Sequence, residues 1–243
     1  MTRRLTVITG GGRGIGAATA LRLGSDGHDL VLSYATDAAA AEATAARVRD
    51  LGVGCHVVQA DVSDPDQVEA LLDATARLGQ VTGLVNNAGS TLHSADLADT
   101  PVDIVRRVIE VNLIGAVLVA RRAVKDMVRG GAIVNVSSAA ATLGSPHEYV
   151  HYAAAKAGVD TLTLGLAKEV AARGIRVNGV GPGIVRTGIH AAAGDAGRIE
   201  RLGPQVPLGR FGEPEEVAEA VAWLLGDSCP YATGATLRVA GGR

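Results

Sequence analysis

The sequence predicts an α/β fold in which a doubly wound parallel sheet carries helices on both faces. Short apolar segments recur along the 243 residues, helical patterns separate them, and a glycine-rich turn joins the first segment to a helix. Parallel neighbouring strands need crossover helices, which are right-handed. The chain is 47% hydrophobic but only 2% aromatic, so the core is expected to consist of Ala, Val, Leu and Ile. We expect a single domain over residues 1–243, because no repeat or Pro-rich linker divides the chain.

Seven predicted strands are short and mostly apolar, as strands buried on both faces should be. A helix after the third strand is introduced by Ser63-Asp64-Pro65, which supplies capping side chains and a first-turn proline. Thr100-Pro101 opens the next helix, expected to run to about residue 128, and a later helix is predicted over residues 148–173. The predicted strands are residues 5–8, 30–34, 55–60, 83–86, 132–137, 175–180 and 235–239.

The stretch Thr9-Gly10-Gly11-Gly12-Arg13-Gly14-Ile15-Gly16 lies between the first strand and a helix. This order makes a phosphate site, because free N–H groups and the positive helix end face the ligand. Two registers fit, Gly10-x-x-x-Gly14-x-Gly16 and Gly12-x-Gly14-x-x-Ala17. A P-loop is excluded, since Ala17 stands where a lysine is needed. Glycines also serve plain turns, so the loop alone leaves a purely structural role open.

Polar residues follow two further strands, at the edge where open α/β sheets bind ligands. Asp61-Val62 follows the third strand; Asp61 suits an adenine amino group, or is an ordinary residue near a helix N-terminus. Asn87-Ala88-Gly89 follows the fourth strand and allows close approach of a ligand to the backbone, although a plain turn has the same composition.

The end of the second strand bears on the choice between nicotinamide cofactors. Ser33-Tyr34-Ala35 lacks the acid that would bind the ribose 2′-hydroxyl of NAD, and Asp37 comes later, where the next helix begins. Arg13 offers a planar cation suited to a 2′-phosphate, with a solvated loop residue as the alternative. We therefore expect NADP(H) to be preferred, with NAD(H) as the alternative cofactor.

Tyr152 and Lys156 are four residues apart in a predicted helix and so share one face. Ser138 ends the strand directly before this helix and is expected at the ligand edge of the sheet. Two neighbours compete for these positions: Ser137 precedes Ser138, and Tyr149 precedes Tyr152 but has Ala153 four residues on instead of a lysine.

These motifs together resemble a classical short-chain dehydrogenase/reductase, of the branch similar to 3-oxoacyl-ACP reductases and glucose dehydrogenases. Asn112, Pro182-Gly183-x-x-x-Thr187 and the closing Gly241-Gly242 complete the match, while Ala240 departs from the acid common there. The resemblance implies a Rossmann fold, a homotetramer and the catalytic set Asn112, Ser138, Tyr152 and Lys156. Together with the loop and strand-end residues described above, it gives the candidate cofactor contacts: Gly10, Gly12, Arg13, Gly14, Ile15, Gly16, Ser33, Tyr34, Asp61, Val62, Asn87, Ala88, Gly89, Tyr152, Lys156, Pro182, Gly183, Ile184 and Thr187.

The chemistry expected is interconversion of a carbonyl and a secondary alcohol by hydride transfer. Carbonyl reduction leaves an alkoxide that needs a hydrogen-bond donor, Ser138, and a proton, from Tyr152. The Lys156 charge is expected to lower the pKa of Tyr152 by ~2 to 3 units. By the resemblance, Lys156 also binds the nicotinamide ribose and Asn112 holds a water linked to Lys156.

Two other functions stay open. One is a 3-oxoacyl-thioester (ACP) reductase, with Arg129 and Arg173 in a carrier-docking patch, although both arginines equally suit compensation of helix dipoles. The other is a non-catalytic dinucleotide sensor on the same fold.

Composition and charge argue against a nucleic-acid-binding or membrane-spanning protein. The formal charge of −2 and the scattered basic pairs give no nucleic-acid surface, and the apolar runs are too short to span a membrane. We expect a cytoplasmic protein with Cys55 and Cys229 as free buried thiols. His147 and His151 flank the tyrosine, at the substrate mouth or as structural residues, and no metal site is predicted. Residues 188–209 are predicted to be a mobile substrate lid, with a plain surface excursion as the alternative.

Overall fold

A computed structural model describes residues 3–195 and 197–243. In this part of the chain, seven parallel strands form one sheet in the order β3-β2-β1-β4-β5-β6-β7, which confirms the predicted fold class. The order reverses between β1 and β4, where a doubly wound sheet binds its ligand. The strands are β1 (Leu5–Ile8), β2 (Asp29–Tyr34), β3 (Cys55–Gln59), β4 (Val81–Asn86), β5 (Ala132–Val136), β6 (Arg176–Pro182) and β7 (Thr236–Val239).

Helices cover both faces of the sheet and bury two apolar layers. The layer containing Leu23, Val48 and Val221 joins α1, α2 and α10 to the sheet. The opposite layer, with Leu72 and Val119, joins α3, α5 and α7 to the sheet. The helices are α1 (Gly14–Ser25), α2 (Ala38–Arg49), α3 (Pro65–Ala76), α4 (Val102–Ile109), α5 (Gly115–Asp126), α6 (Ala140–Leu143), α7 (Val150–Val170), α8 (Ile189–Ala192), α9 (Arg198–Leu202) and α10 (Pro214–Leu225).

The helix predicted to run from Thr100 to about residue 128 differs from the prediction at its centre. A π-helical segment, Glu110–Ile114, separates α4 from α5. Asn112 lies in this segment, and its side-chain amide donates to the Val108 carbonyl at 2.8 Å and to the Ser90 carbonyl at 2.7 Å. The wider turn accommodates a buried amide that bonds to its own helix, and such turns are frequent at functional sites.

Residues 188–209 contain two short helices, α8 and α9, followed by a 3₁₀ turn at Gly203–Gln205. Residue 196 of this segment lies outside the described residues. The base of the segment is closed by hydrogen bonds from Gly212 N to Ile184 O at 2.8 Å and from Arg186 N to Gly212 O at 2.9 Å. The segment thus leaves the sheet end and returns to it.

Both cysteines are free thiols, as predicted. Within the described residues, Cys55 and Cys229 are buried and form no disulfide. None of the helices in residues 3–195 and 197–243 combines the length and apolar character that a bilayer crossing requires.

Candidate active site

Thr9 connects the glycine loop after β1 to the Asn87 turn after β4. Its hydroxyl accepts from the N–H groups of Asn87 and Ala88, both at 3.0 Å. The Asn87 side-chain amide donates to the carbonyls of Thr9 at 2.9 Å and Gly10 at 3.0 Å. Two motifs almost 80 residues apart in sequence therefore form one rigid edge. Thr9 belongs to the predicted loop, but its role could not be predicted from the sequence, because its partners follow another strand.

The backbone gives a reason for each glycine of the Gly10, Gly14, Gly16 register. Gly10 and Gly14 have φ of +64° and +55°, where a side chain is strained. A Cβ on Gly16 would lie 2.6 Å from the Asn87 side-chain nitrogen. Gly12 serves packing instead, since a Cβ there would lie 2.9 Å from Ala41 N in α2.

The start of α1 is suited to an anion. Arg13 is the N-cap residue, and no side chain in the described part of the chain caps the first amides of the helix. These N–H groups and the helix dipole are therefore available to a phosphate. Thr187 borders the same loop, with its methyl group 3.2 Å from the Cβ position of Gly14. The geometry fits the pyrophosphate of a dinucleotide.

The end of β2 lies beside this loop, and Ser33 O accepts from Gly11 N at 3.0 Å. Asp37 is the N-cap of α2 and accepts from Ala40 N at 3.0 Å, so it is engaged in the helix start, as its place in the sequence indicates. Arg13 is three-quarters exposed and 3.9 Å from Asp37, a weak pair that leaves its guanidinium free to meet a ligand.

Asp61 follows β3 and is not the N-cap of α3, a role that Asp64 fills. Its carboxylate accepts from Ser63 and from Arg107 of α4. Arg107 could not be predicted as a site residue, because no local pattern marks a contact across 46 residues. Val62 packs under α5, where a Cβ on Gly115 would lie 2.6 Å from its side chain.

The structure brings Ser138, Tyr152 and Lys156 together at the end of β5. Tyr152 is buried and its phenol is hydrogen-bonded with the Ser138 hydroxyl. Lys156 Nζ lies 5.7 Å from the centroid of the Tyr152 ring and donates to Val136 O at 2.8 Å. Ser137 instead donates to the Lys156 carbonyl at 3.2 Å. Of the two serines, Ser138 is therefore the one beside the phenol.

The pKa of Tyr152 is raised in the structure, whereas the sequence predicts that Lys156 lowers it. Burial raises the pKa of Tyr152 above its ordinary value, and the hydrogen bond with Ser138 only opposes this. Burial likewise lowers the pKa of Lys156 to about 8, with the charge of Asp160 acting in the opposite direction. Attraction between the phenolate and the ammonium favours both charged forms, whereas the low dielectric of the interior disfavours both.

Asn112 presents its side-chain oxygen to the same region. Among the described atoms, this buried oxygen has no hydrogen-bond partner. A Cβ on Gly89 would lie 2.6 Å from the Asn112 oxygen and 3.5 Å from Lys156 Nζ. The amide oxygen and the ammonium thus both border Gly89, an arrangement that fits an ordered water between them.

The segment containing α8 and α9 contacts the start of α7. Arg198 of α9 is buried and forms a bidentate ion pair with Glu148. Its guanidinium lies 5.0 Å from the centroid of the Tyr149 ring. Tyr149 in turn packs edge-on against Tyr152, with ring centroids 5.4 Å apart. A chain of contacts therefore joins this segment to Tyr152.

Of the other side chains singled out in the sequence, His147 and Arg173 have hydrogen-bond partners. His147 is exposed and its Nδ1 lies 2.8 Å from an oxygen of Asp96. His151 is buried, and burial lowers its pKa. Arg173 donates to the Met127 carbonyl at 2.8 Å, just past the end of α5, which favours the helix-terminus interpretation over a carrier patch.

A phosphate-binding loop and a Ser–Tyr–Lys cluster at one edge of a doubly wound sheet are the features of a nicotinamide-dependent oxidoreductase. A family model described as enoyl-(acyl carrier protein) reductase matches residues 10–243. The chain belongs to the short-chain dehydrogenase/reductase family of NAD(P)-dependent oxidoreductases.

Two relatives and one solved structure are similar to this protein over nearly its whole chain. The uncharacterized oxidoreductase YgfF of Escherichia coli K12 is 44% identical over 98% of this chain and 99% of its own. The 3-oxoacyl-[acyl-carrier-protein] reductase FabG of Staphylococcus aureus is 37% identical, covering 97% and 96%. A Burkholderia cenocepacia short-chain dehydrogenase, solved in complex with NADP, has a TM-score of 0.93 at 33% identity, covering 99% and 97%.

Proposed function

We propose that this protein is an NADP(H)-dependent oxidoreductase that interconverts a small-molecule carbonyl and a secondary alcohol, with Tyr152 as general acid and base. The cluster of Ser138, Tyr152 and Lys156 beside the glycine loop carries this proposal. When bound, the cofactor supplies or accepts the hydride. Ser138 holds the substrate oxygen, and Tyr152 exchanges the proton with it.

The electrostatics favour Tyr152 as a proton donor. Because burial raises its pKa, the phenol is protonated at neutral pH and ready to protonate the alkoxide formed by reduction. With a pKa of about 8, Lys156 is mostly charged at neutral pH and stabilises the phenolate that results. Asn112 offers its side-chain oxygen, which accepts from no atom of the described residues, to a water that exchanges protons with Lys156.

We further propose that NADP(H) is preferred to NAD(H). Arg13 is three-quarters exposed and only weakly paired with Asp37, so its guanidinium can contact a 2′-phosphate, and β2 itself ends without an acid. The NADP in the Burkholderia neighbour supports this preference by similarity.

Consumption of NADPH tests the activity, followed by loss of absorbance across a panel of ketones and aldehydes. Tyr149→Phe is a matched control for Tyr152→Phe, since each substitution removes one phenolic hydroxyl group near the start of the same helix. If the chain binds NADPH but reduces no member of the panel, a non-catalytic dinucleotide sensor is the better assignment.

A 3-oxoacyl-thioester reductase is the second candidate, supported by similarity to the S. aureus relative. A relative from Eggerthella lenta named 3beta-hydroxysteroid dehydrogenase 1 is 42% identical over 98% of this chain and 93% of its own, so similarity alone does not select the substrate. Including a 3-oxoacyl thioester and a 3-oxosteroid in the substrate panel distinguishes a thioester reductase from an enzyme that acts on a steroid.

We also propose that residues 188–209 form the substrate lid of a single domain, because Arg198 joins this segment to the start of α7. A homotetramer is proposed with it: Trp223, Tyr231 and Leu237 expose apolar surface along α10, β7 and their connection. Two unpaired cysteines are consistent with a cytoplasmic location. Light scattering of the purified protein measures the assembly.

A further inference from the structure

Asp61, Ser63 and Arg107 form a closed set of hydrogen bonds at the end of β3. Arg107 donates to Asp61 Oδ2 at 2.5 Å and to Ser63 Oγ at 2.6 Å. Ser63 in turn donates to Asp61 Oδ1, through its hydroxyl at 2.7 Å and its N–H at 3.0 Å. The serine hydroxyl therefore passes the orientation of the guanidinium on to the carboxylate.

The backbone at this position is fixed separately from the carboxylate. Asp61 N donates to the Gln67 side-chain oxygen in α3 at 2.9 Å. Val62 is buried under α5. Because the backbone has its own partners, the direction of the Asp61 carboxylate depends on Ser63 and Arg107.

One acceptor direction of this carboxylate remains for a ligand. A carboxylate has about four lone-pair sites. Within the described residues, Oδ1 receives two hydrogen bonds and Oδ2 one, and the side chain is 29% exposed. Burial would raise the pKa of Asp61, but the hydrogen bonds from Ser63 and Arg107 hold it below its ordinary value. Asp61 is thus an ionised, fixed acceptor.

We propose that Arg107 is a positioning residue that aims the Asp61 carboxylate at the exocyclic amino group of the adenine of the dinucleotide. This inference rests on the proposed function, in which the chain binds NADP(H). A carboxylate accepts from the amino group of adenine and repels the oxo group that hypoxanthine carries at the same place. Arg107 thereby makes the site selective for adenine by acting through Asp61.

Without Arg107, the carboxylate loses both its partner on Oδ2 and the guanidinium that donates to Ser63. Asp61 is then held by Ser63 alone and rotates more freely. A rotated carboxylate meets adenine and hypoxanthine with more similar free energy. The consequence is a loss of selectivity, over and above any general loss of affinity.

Equilibrium binding of NADPH and of its hypoxanthine analogue, followed by nicotinamide fluorescence, tests this. The wild type is expected to bind NADPH about 10- to 100-fold more tightly, the ratio typical of a hydrogen bond to a charged group. Arg107→Gln is expected to reduce the ratio to about threefold or less. Asp61→Asn is expected to do the same, since its amide can donate to the oxo group. The matched control is Arg106→Gln, which makes the same charge change at the exposed neighbouring position and leaves the ratio at the wild-type value.

The outcomes separate the inference from the function on which it rests. If Arg107→Gln weakens both dinucleotides equally, Arg107 acts only through general electrostatics or folding, and the proposal is overturned. Equal binding of both dinucleotides by the wild type also overturns it while leaving the proposed function intact. If the wild type binds neither, the proposed function itself fails. Should Arg107→Gln not fold, Ser63→Ala removes the hydroxyl link and is expected to lower the ratio in the same direction.

Discussion

Replacing Arg198 by methionine removes the cation that joins α9 to the start of α7. The Arg198 side chain is 5% exposed and its partner Glu148 is 25% exposed, so the substitution leaves a mostly buried carboxylate without its counter-ion. Breaking such a pair costs about 3 to 5 kcal/mol when burial is complete, and the exposure of Glu148 reduces this to about 2 to 3 kcal/mol. If that energy holds the lid closed over substrate, kcat/KM falls by about 30- to 150-fold.

The decisive measurement is a double-mutant cycle on kcat/KM, accompanied by hydrogen exchange across residues 189–205. Arg198→Met and Glu148→Met are each expected to lose activity and amide protection of this segment. The double variant is expected to recover much of both, because no unpaired charge remains. Arg201→Met is the matched control in α9: its pair with Asp195 is solvent-exposed on the arginine side, and activity should stay close to wild type. Wild-type activity in Arg198→Met, or a double variant no better than the singles, would refute the lid contact.

Three further outcomes are expected. Tyr152→Phe should lower turnover by about 10²- to 10⁴-fold while NADPH affinity is unchanged, and Tyr149→Phe should retain most activity; an active Tyr152→Phe contradicts the proton-transfer role. Arg13→Ala should weaken NADPH binding about tenfold or more with little change for NADH, and equal losses remove the cofactor preference. Burial lowers the pKa of Lys156 to about 8 in the folded protein, whereas its pKa in the unfolded chain is about 10.4. Between these two pH values the unfolded chain binds more protons than the folded protein, so the free energy of unfolding should rise with pH across that window. Lys156→Met should lack this rise in urea titrations at pH 7.5 and 9.5, and an identical slope in both proteins would show that Lys156 is not its source.

The fold could be predicted because its determinants are local in sequence. Apolar segments such as Leu5–Ile8 followed by glycine and a helix give the strand–turn–helix unit directly. The spacing of Tyr152 and Lys156 similarly places both on one helix face. By contrast, the π-helical segment around Asn112 was not predicted, because the partners of its amide include a carbonyl 22 residues away.

The sequence by itself indicated the doubly wound architecture and the phosphate loop, since each strand, turn and helix of the pattern is a local feature, and its resemblance to a known family predicted the roles of Ser138, Tyr152 and Lys156. Only the tertiary structure decided the protonation behaviour of Tyr152, because burial, which opposes the lysine charge, is a property of the packed interior. Likewise, the pairing of Arg107 with Asp61 and of Arg198 with Glu148 joins segments that only the folded sheet brings together. Contacts across about 50 residues leave no periodic pattern in a single sequence, so the roles of Arg107 and Arg198 could be identified only from the structure.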